Sequence, residues 1–411
     1  MKTRLLSLFI SVFLLSIVFL SVSSNTAYAF SEEQRLVNEV WRIVDRAYVD
    51  DTFNHQNWRA VRQRILRNPL PDRDSAYDAI DEMLAGLGDP FTRFLRPDQY
   101  KSLQTTTSGE LSGVGLQITR LPETGILSVI SPIEGSPADL AGIHPQDIIL
   151  KIDGISTSNF SLDEAAERMR GKPGSHVILT VSHDAEQEQD FDIVRDRISL
   201  NPVSFSLREA LDGLDIGYIR LNQFNANATK AIVQAIVDLE NDGADAYVLD
   251  LRNNPGGLLQ AGIEIAKLWL NDSIIVHTVD RYGIQDTVDT YDDALTQLPL
   301  TVLVNGGTAS ASEILSGALQ DNHRAVIVGE RTFGKGLIQS LFNLSDGSGL
   351  AVTVARYETP NHTDINSLGI QPDVVVTPGL IEMKTIATAE DSQYTKAIKI
   401  LKDVTTSDQS I

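Results

Sequence analysis

At 411 residues, 42% hydrophobic and 22% charged, the chain has a globular composition and is too long for one ordinary core, so two or three domains are expected. A formal charge of −21 leaves no basic footprint, which argues against nucleic acid or an anionic membrane surface as partner. The chain has no cysteine, which excludes disulfides, thiol catalysis and Cys-ligated zinc.

Residues 1–29 read as a signal peptide. Lys2 and Arg4 precede an apolar run from Leu5 to Val22, and Ala27-Tyr28-Ala29 supplies a small-x-small cleavage site. A soluble exported product beginning near Phe30 is expected. The alternative is an uncleaved membrane anchor, because the run is long for a signal.

Residues 30–105 read as an N-terminal helical domain. Leu36, Val37, Val40, Trp41, Val44 and Tyr48 recur at three- and four-residue spacing, and further helices are expected around Trp58–Leu66 and Asp74–Leu87. Residues 106–198 change period: short β-rich runs alternate with Gly, Pro and Asp turns, with two short helices at Ser136–Ala141 and Ser161–Met169. Gly113, Val114, Gly115 and Leu116 form a glycine-rich loop entering a strand. Such a loop either turns backbone N–H groups towards a carboxylate beside an open strand edge or is an ordinary hairpin turn.

Residues 199–380 read as repeated β-turn-α units, the pattern of a layered sheet with helices packed on it. Two loops at strand C-terminal ends, Asn253–Gly257 and Asn305–Ser310, are placed to converge. A polar excursion covers 281–297, and the tail, 381–411, carries one short surface helix over Ser392–Lys402.

Ser310 opens a helix after a buried strand, beside free N–H groups and a positive dipole end that favour developing negative charge. With Glu313 three residues on, the same serine reads equally as half of a capping box, and Ser312 is a rival nucleophile. No Gly-x-Ser-x-Gly elbow occurs, and only His323 and His362 fall near the motif, so a Ser-His-Asp triad with Asp321 or Asp364 has no motif behind it. Lys335, flanked by Gly334 and Gly336 among Phe333, Leu337 and Ile338, is the alternative base, since burial favours loss of its proton. Gln339 can hydrogen-bond the amine without adding charge. Gly329 to Lys335 also fits G-x-x-x-x-G-K, but Gly336 stands where a magnesium-binding hydroxyl is needed, so no nucleotide is expected.

The run GTASASEI (Gly307 to Ile314), followed by FGKGLIQ (Phe333 to Gln339), resembles the carboxyl-terminal processing peptidases, or tail-specific proteases. GLGDPFTRFL, LDLRNNPGG and LGIQPD fit the same family in order. Leu111–Leu116, Ser131–Gly154 and Arg170–Gly174 resemble a PDZ domain. The resemblance implies a multidomain α/β protein: an N-terminal helical segment, a β-rich PDZ domain and a layered, crotonase-like protease core. The twenty-five residues between Ser310 and Lys335 match the family's serine–lysine spacing and select Ser310 over Ser312.

By the same resemblance, Ser310 is the nucleophile, Lys335 the general base and Gln339 its orienting partner. The N–H groups of Gly256 and Ala311 form the oxyanion hole, Glu313 and Asp321 give support, and Arg170 contacts a substrate carboxylate. No metal or cofactor is implied. The family usually has glycine where His362 stands in Thr359-Pro360-Asn361-His362, which bears on the adjoining specificity pocket. The N-terminal stretches SEEQRLVNEVWRIV and FNHQNW look closest to the photosynthetic branch. The implied substrate is the C-terminal tail of the photosystem II reaction-centre core precursor. The implied location is the thylakoid lumen or periplasm of a cyanobacterium, at the membrane surface. A non-catalytic PDZ scaffold or chaperone is the alternative.

Overall fold

The computed structural model describes residues 30–408, apart from 122–123, 134, 184–186, 210–212, 292, 367 and 378–384. The expected leader lies outside the described residues. Among those described, no helix is long and apolar enough to cross a membrane.

The described residues begin with three helices: α1 (Glu32–Ala47), α2 (Trp58–Leu66) and α3 (Arg73–Ala85). Ser31 caps α1 and exchanges hydrogen bonds with Gln34, satisfying N–H groups that the helix start leaves open. The apolar stripe of α1 is buried as its spacing predicts, and Trp41 and Trp58 each donate an indole N–H to the other's carbonyl. Strand β1 (Arg93–Leu95) and helix α4 (Pro97–Ser108) follow.

The β-rich unit comprises β2 (Glu110–Gly113), β3 (Leu116–Arg120), β4 (Leu127–Pro132), short α5 (Pro137–Leu140), β5 (Ile148–Ile152), β6 (Ile155–Ser156), α6 (Leu162–Met169), β7 (His176–His183), β8 (Gln187–Val194) and β9 (Asp196–Ser199). Strands β3-β4-β5-β7-β8 form one antiparallel sheet, with β6 on β5, and β2 pairs with β9. Its core is separate, built on Leu127, Ile149, Ile152, Leu179 and Val181.

The remaining elements are β10 (Val203–Glu209), β11 (Asp215–Leu221), α7 (Ala228–Asn241), β12 (Ala246–Asp250), α8 (Leu259–Lys267), β13 (Ser273–Asp280), β14 (Gly283–Thr290), β15 (Leu300–Val304), α9 (Ala311–Asp321), β16 (Val326–Gly329), β17 (Leu337–Asn343), β18 (Gly349–Glu358), β19 (Val374–Val375) and α10 (Ser392–Asp408). A six-stranded sheet runs β10-β11-β12-β15-β16-β19, parallel except for the β10–β11 edge pair. Every residue of β12 and β15 is buried, as parallel strands covered on both faces require. Helices α7, α8 and α9 cover one face. A second sheet, β1-β18-β13-β14 with β17 on β18, carries the N-terminal helices on Leu350 and Val352.

Two expectations are corrected here. Residues 281–297 are not simply a polar excursion, because β14 pairs with β13 over much of that stretch. The tail helix is longer than expected and is not a surface helix. Tyr394, Ala397 and Leu401 of α10 bury against Tyr218, Val248 and Leu303 on the sheet's other face. Its anchor is ionic: buried Arg252 bonds Asp250 (2.6 Å) and Asp391 (2.8 Å), and Asp250 also takes Tyr218 (2.7 Å) and Arg220 (3.1 Å). The two carboxylates hold the Arg252 guanidinium firmly charged despite its burial.

Candidate active site

Parallel strands β12 and β15 end side by side, so the loops that follow them leave the sheet together. Side chains lace the two loops. Asn253 N–H donates to Asn305 Oδ1 and Asn305 Nδ2 to Asn253 Oδ1, both at 2.9 Å, while Thr308 Oγ1 donates to the Leu251 carbonyl at 2.8 Å. Fully buried Asn254 donates to the Leu221 carbonyl (2.8 Å), and its own carbonyl accepts Ala309 N–H and Ser312 Oγ, both at 3.0 Å. The Ser312 hydroxyl is therefore buried and engaged, which removes it as an accessible rival to Ser310.

Ser310 sits at φ 59°, ψ −120°, a conformation that costs a non-glycine residue about 1–3 kcal/mol and persists only where its surroundings enforce it. Strand, sharp turn and helix reproduce the nucleophile elbow without its glycine motif. Gly256, at φ 93°, makes the close approach possible: a Cβ there would lie 2.8 Å from Ser310 Cβ. Glu313 Oε2 accepts the Ser310 N–H at 2.8 Å, but the Ser310 hydroxyl makes no cap bond. It lies instead 3.1 Å from the Tyr357 hydroxyl, which is 3.0 Å from the Lys335 carbonyl. A phenol has one hydrogen and a carbonyl only accepts, so Tyr357 donates to Lys335 and Ser310 donates to Tyr357.

Glu313 is fully buried and accepts four hydrogen bonds: from Ser310 N (2.8 Å), Thr332 Oγ1 (2.5 Å), Gly334 N (2.7 Å) and Lys335 N (2.8 Å). One carboxylate thus locks the lysine loop onto the start of α9. The Lys335 side chain is half-buried. Burial, and then the positive charge of Arg93, push its ammonium below the usual lysine range, against the pull of Asp89 and Glu313. Its Nζ lies 4.7 Å from the Phe91 ring centre, a contact that favours the charged form. The apolar wall is not Phe333, which is 60% exposed; Phe91 supplies it from the segment before β1.

Two expected contacts are not made in this conformation. Gln339 does not bond the lysine: its Nε2 is buried without a hydrogen-bond partner, beyond a β-bulge between Ile338 and Gln339. Among the described residues, no hydrogen bond joins Ser310 Oγ to Lys335 Nζ. The expected oxyanion donors also differ. Gly256 N–H is taken by Asn254 Oδ1 at 2.9 Å, whereas no bond to Ala311 N–H is formed among the described residues. Ser310, Lys335, Gln339, Gly256, Ala311 and Tyr357 nevertheless line one cavity of about 620 Å³, and no histidine among the described residues lines it.

The remaining expected residues lie elsewhere. Asp321, at the far end of α9, accepts Asn361 N–H at 2.9 Å and braces the 359–362 loop. In that loop His362 adopts φ 60° and stacks on His277, ring centres 4.2 Å apart. The left-handed backbone explains why glycine suits this position. On the β-rich unit, the N–H groups of buried Val114 and Gly115 make no hydrogen bond among the described residues. A Cβ on Gly113 would lie 3.3 Å from Arg170 Cα, which puts Arg170 beside the loop between Gly113 and Leu116. Its exposed ion pair with Glu167 (3.7 Å) is too weakly held to fix it. Sequence reasoning missed Tyr357, Asn254 and Arg93. Tyr357 belongs to an alternating buried strand and reads there as core.

Peptidase family S41 matches residues 215–376, and the PDZ domain matches residues 128–182. A carboxyl-terminal-processing protease of Synechocystis sp. is 57% identical over 377 residues, covering 92% of this chain and 88% of that protein. The carboxyl-terminal-processing protease of Picosynechococcus sp. is 58% identical over 386 residues, covering 94% and 92%. A solved structure of a photosystem II D1 C-terminal processing protease is 41% identical, with a TM-score of 0.57, covering 86% of this chain and 95% of that one.

Proposed function

The chain belongs to peptidase family S41 and is a serine-type peptidase, and we propose that it removes C-terminal extensions from proteins with Ser310 as nucleophile and Lys335 as general base. The PDZ unit takes the substrate's C-terminal tail, the carboxylate meeting the Val114 and Gly115 N–H groups, unbonded among the described residues, beside Arg170. The observation that carries the reading is the shared carboxylate of Glu313, which tethers the backbones of both reacting residues at the wall of one cavity.

Attack begins when Ser310 Oγ bonds the scissile carbonyl carbon and its proton passes to the neutral amine of Lys335. For this, the lysine swings from Phe91 and the serine proton leaves Tyr357. The carbonyl oxygen becomes an oxyanion against Ala311 N–H at the positive end of α9, with Gly256 N–H joining once released from Asn254. Lys335 then gives its proton to the departing nitrogen, the C–N bond breaks and an ester on Ser310 remains. Water attacks that ester, Lys335 takes the water's proton, and the proton returns to Ser310 Oγ as the product acid leaves. Gln339 Nε2 is an unused donor in the same cavity, suited to positioning the lysine or the substrate backbone.

The likeness to cyanobacterial processing proteases and to the D1 processing enzyme supports the photosystem II reaction-centre precursor as substrate, met in an exported, lumenal compartment. Mass spectrometry of the precursor's C-terminal segment, with its terminal carboxylate free or amidated, tests this. The expected result is endoproteolytic release of the extension, slowed by amidation. Tail binding without cleavage would favour the scaffold reading instead.

A further inference from the structure

The PDZ unit carries a second cluster of reactive side chains that peptide cleavage does not use. His144 and Asp147 lie in the turn between α5 and β5, and His183 ends β7. The antiparallel register pairs Ile148 with Ser182, which sets Asp147 opposite His183 across the sheet end. Asp147 is 2% exposed, while both histidines face solvent. Its Oδ2 accepts His144 N–H at 2.9 Å, which pins the carboxylate, and its Oδ1 lies 2.5 Å from His183 Nδ1. The two imidazole rings are 5.6 Å apart, and one donor atom from each of the three residues falls within 4.8 Å of the others.

Two imidazoles and one anchored carboxylate are the donor set of a zinc-type ion that keeps a further position for water. Bonds of about 2.0–2.2 Å place tetrahedral ligands roughly 3.4 Å apart, so His144 and His183 close in by small rotamer changes while Asp147 stays fixed. The other close His–carboxylate pair on this unit, His176 with Asp192 at 2.8 Å, belongs to no group of three such donors among the described residues. We propose that His144, Asp147 and His183 form a divalent transition-metal site on the PDZ unit. The ion replaces the hydrogen bond between His183 and Asp147. The Nδ1 hydrogen passes to solvent or the ring takes its Nε2–H tautomer, and the turn before β5 becomes tied to the end of β7.

Untagged full-length protein titrated with Zn²⁺ by calorimetry, and with Co²⁺ by visible absorption, tests the site. One equivalent of Zn²⁺ is expected to bind, and Co²⁺ to give a tetrahedral spectrum. His144→Ala and His183→Ala should each weaken Zn²⁺ binding by at least about tenfold, while His176→Ala leaves it unchanged. Both histidines are exposed, so circular dichroism of these variants should match the parent. Absence of stoichiometric binding, or wild-type affinity in both variants, overturns the proposal and leaves Asp147 and His183 as a hydrogen-bonded pair only. Equal loss in His176→Ala overturns it too.

Discussion

The Oε2 atom of Glu313 accepts the backbone N–H of Lys335 at 2.8 Å, and the same oxygen accepts that of Ser310 at 2.8 Å. Two residues twenty-five positions apart are thereby held by one atom. Glu313→Gln keeps the volume but turns an amide NH₂ towards N–H donors. The expected cost is about 2–3 kcal/mol of stability together with more than tenfold in kcat. Denaturant unfolding and steady-state kinetics check it; unchanged kcat would remove Glu313 from the account.

Tyr357 links the serine hydroxyl to the lysine carbonyl. Tyr357→Phe leaves the buried ring in place but deprives that carbonyl of its donor, a loss of about 1–2 kcal/mol. Tyr357 contacts both residues of the proposed dyad and lies outside the PDZ unit, so kcat should fall about tenfold with KM unchanged. A change in KM alone would assign the residue to substrate binding.

Arg93 is one of the charges that lowers the proton affinity of Lys335. With Lys335 as the proposed general base, the neutral amine is the active form and activity should rise with pH through the lysine's titration. Arg93→Met removes a positive neighbour and raises that titration point, which moves the acid limb of the kcat/KM profile to higher pH. A shift to lower pH, or none, would count against Lys335 as base.

Arg252 fastens α10 to the sheet without lining the cavity. Arg252→Met takes the charged partner from buried Asp391 and leaves Asp250 with Arg220 and Tyr218, and should cost about 3–5 kcal/mol by equilibrium unfolding. A loss below about 1 kcal/mol would mean that the apolar contacts of Tyr394, Ala397 and Leu401 suffice.

These residues also mark where sequence reasoning stops. The apolar stripe of α1, the two loops after β12 and β15, and the serine–lysine spacing were legible because each is local or fixed by strand ends. Helix α10 was misread because its partner face is assembled from β11, β12, β15 and β16, four segments far from it in sequence. Without the family spacing Ser310 and Ser312 look alike in sequence; in the structure, burial and a bond to the Asn254 carbonyl set Ser312 apart. Tyr357 gives no local signal, since an alternating strand explains it as core.

The most direct measurement is cleavage of a tail-bearing precursor peptide by the wild type, Ser310→Ala and Lys335→Ala, each shown by circular dichroism to be folded. A serine–lysine dyad predicts that both variants lose about 10⁴-fold or more in kcat, and that only the wild type yields a covalent ester at residue 310. Activity within tenfold of wild type in either variant would contradict the assignment.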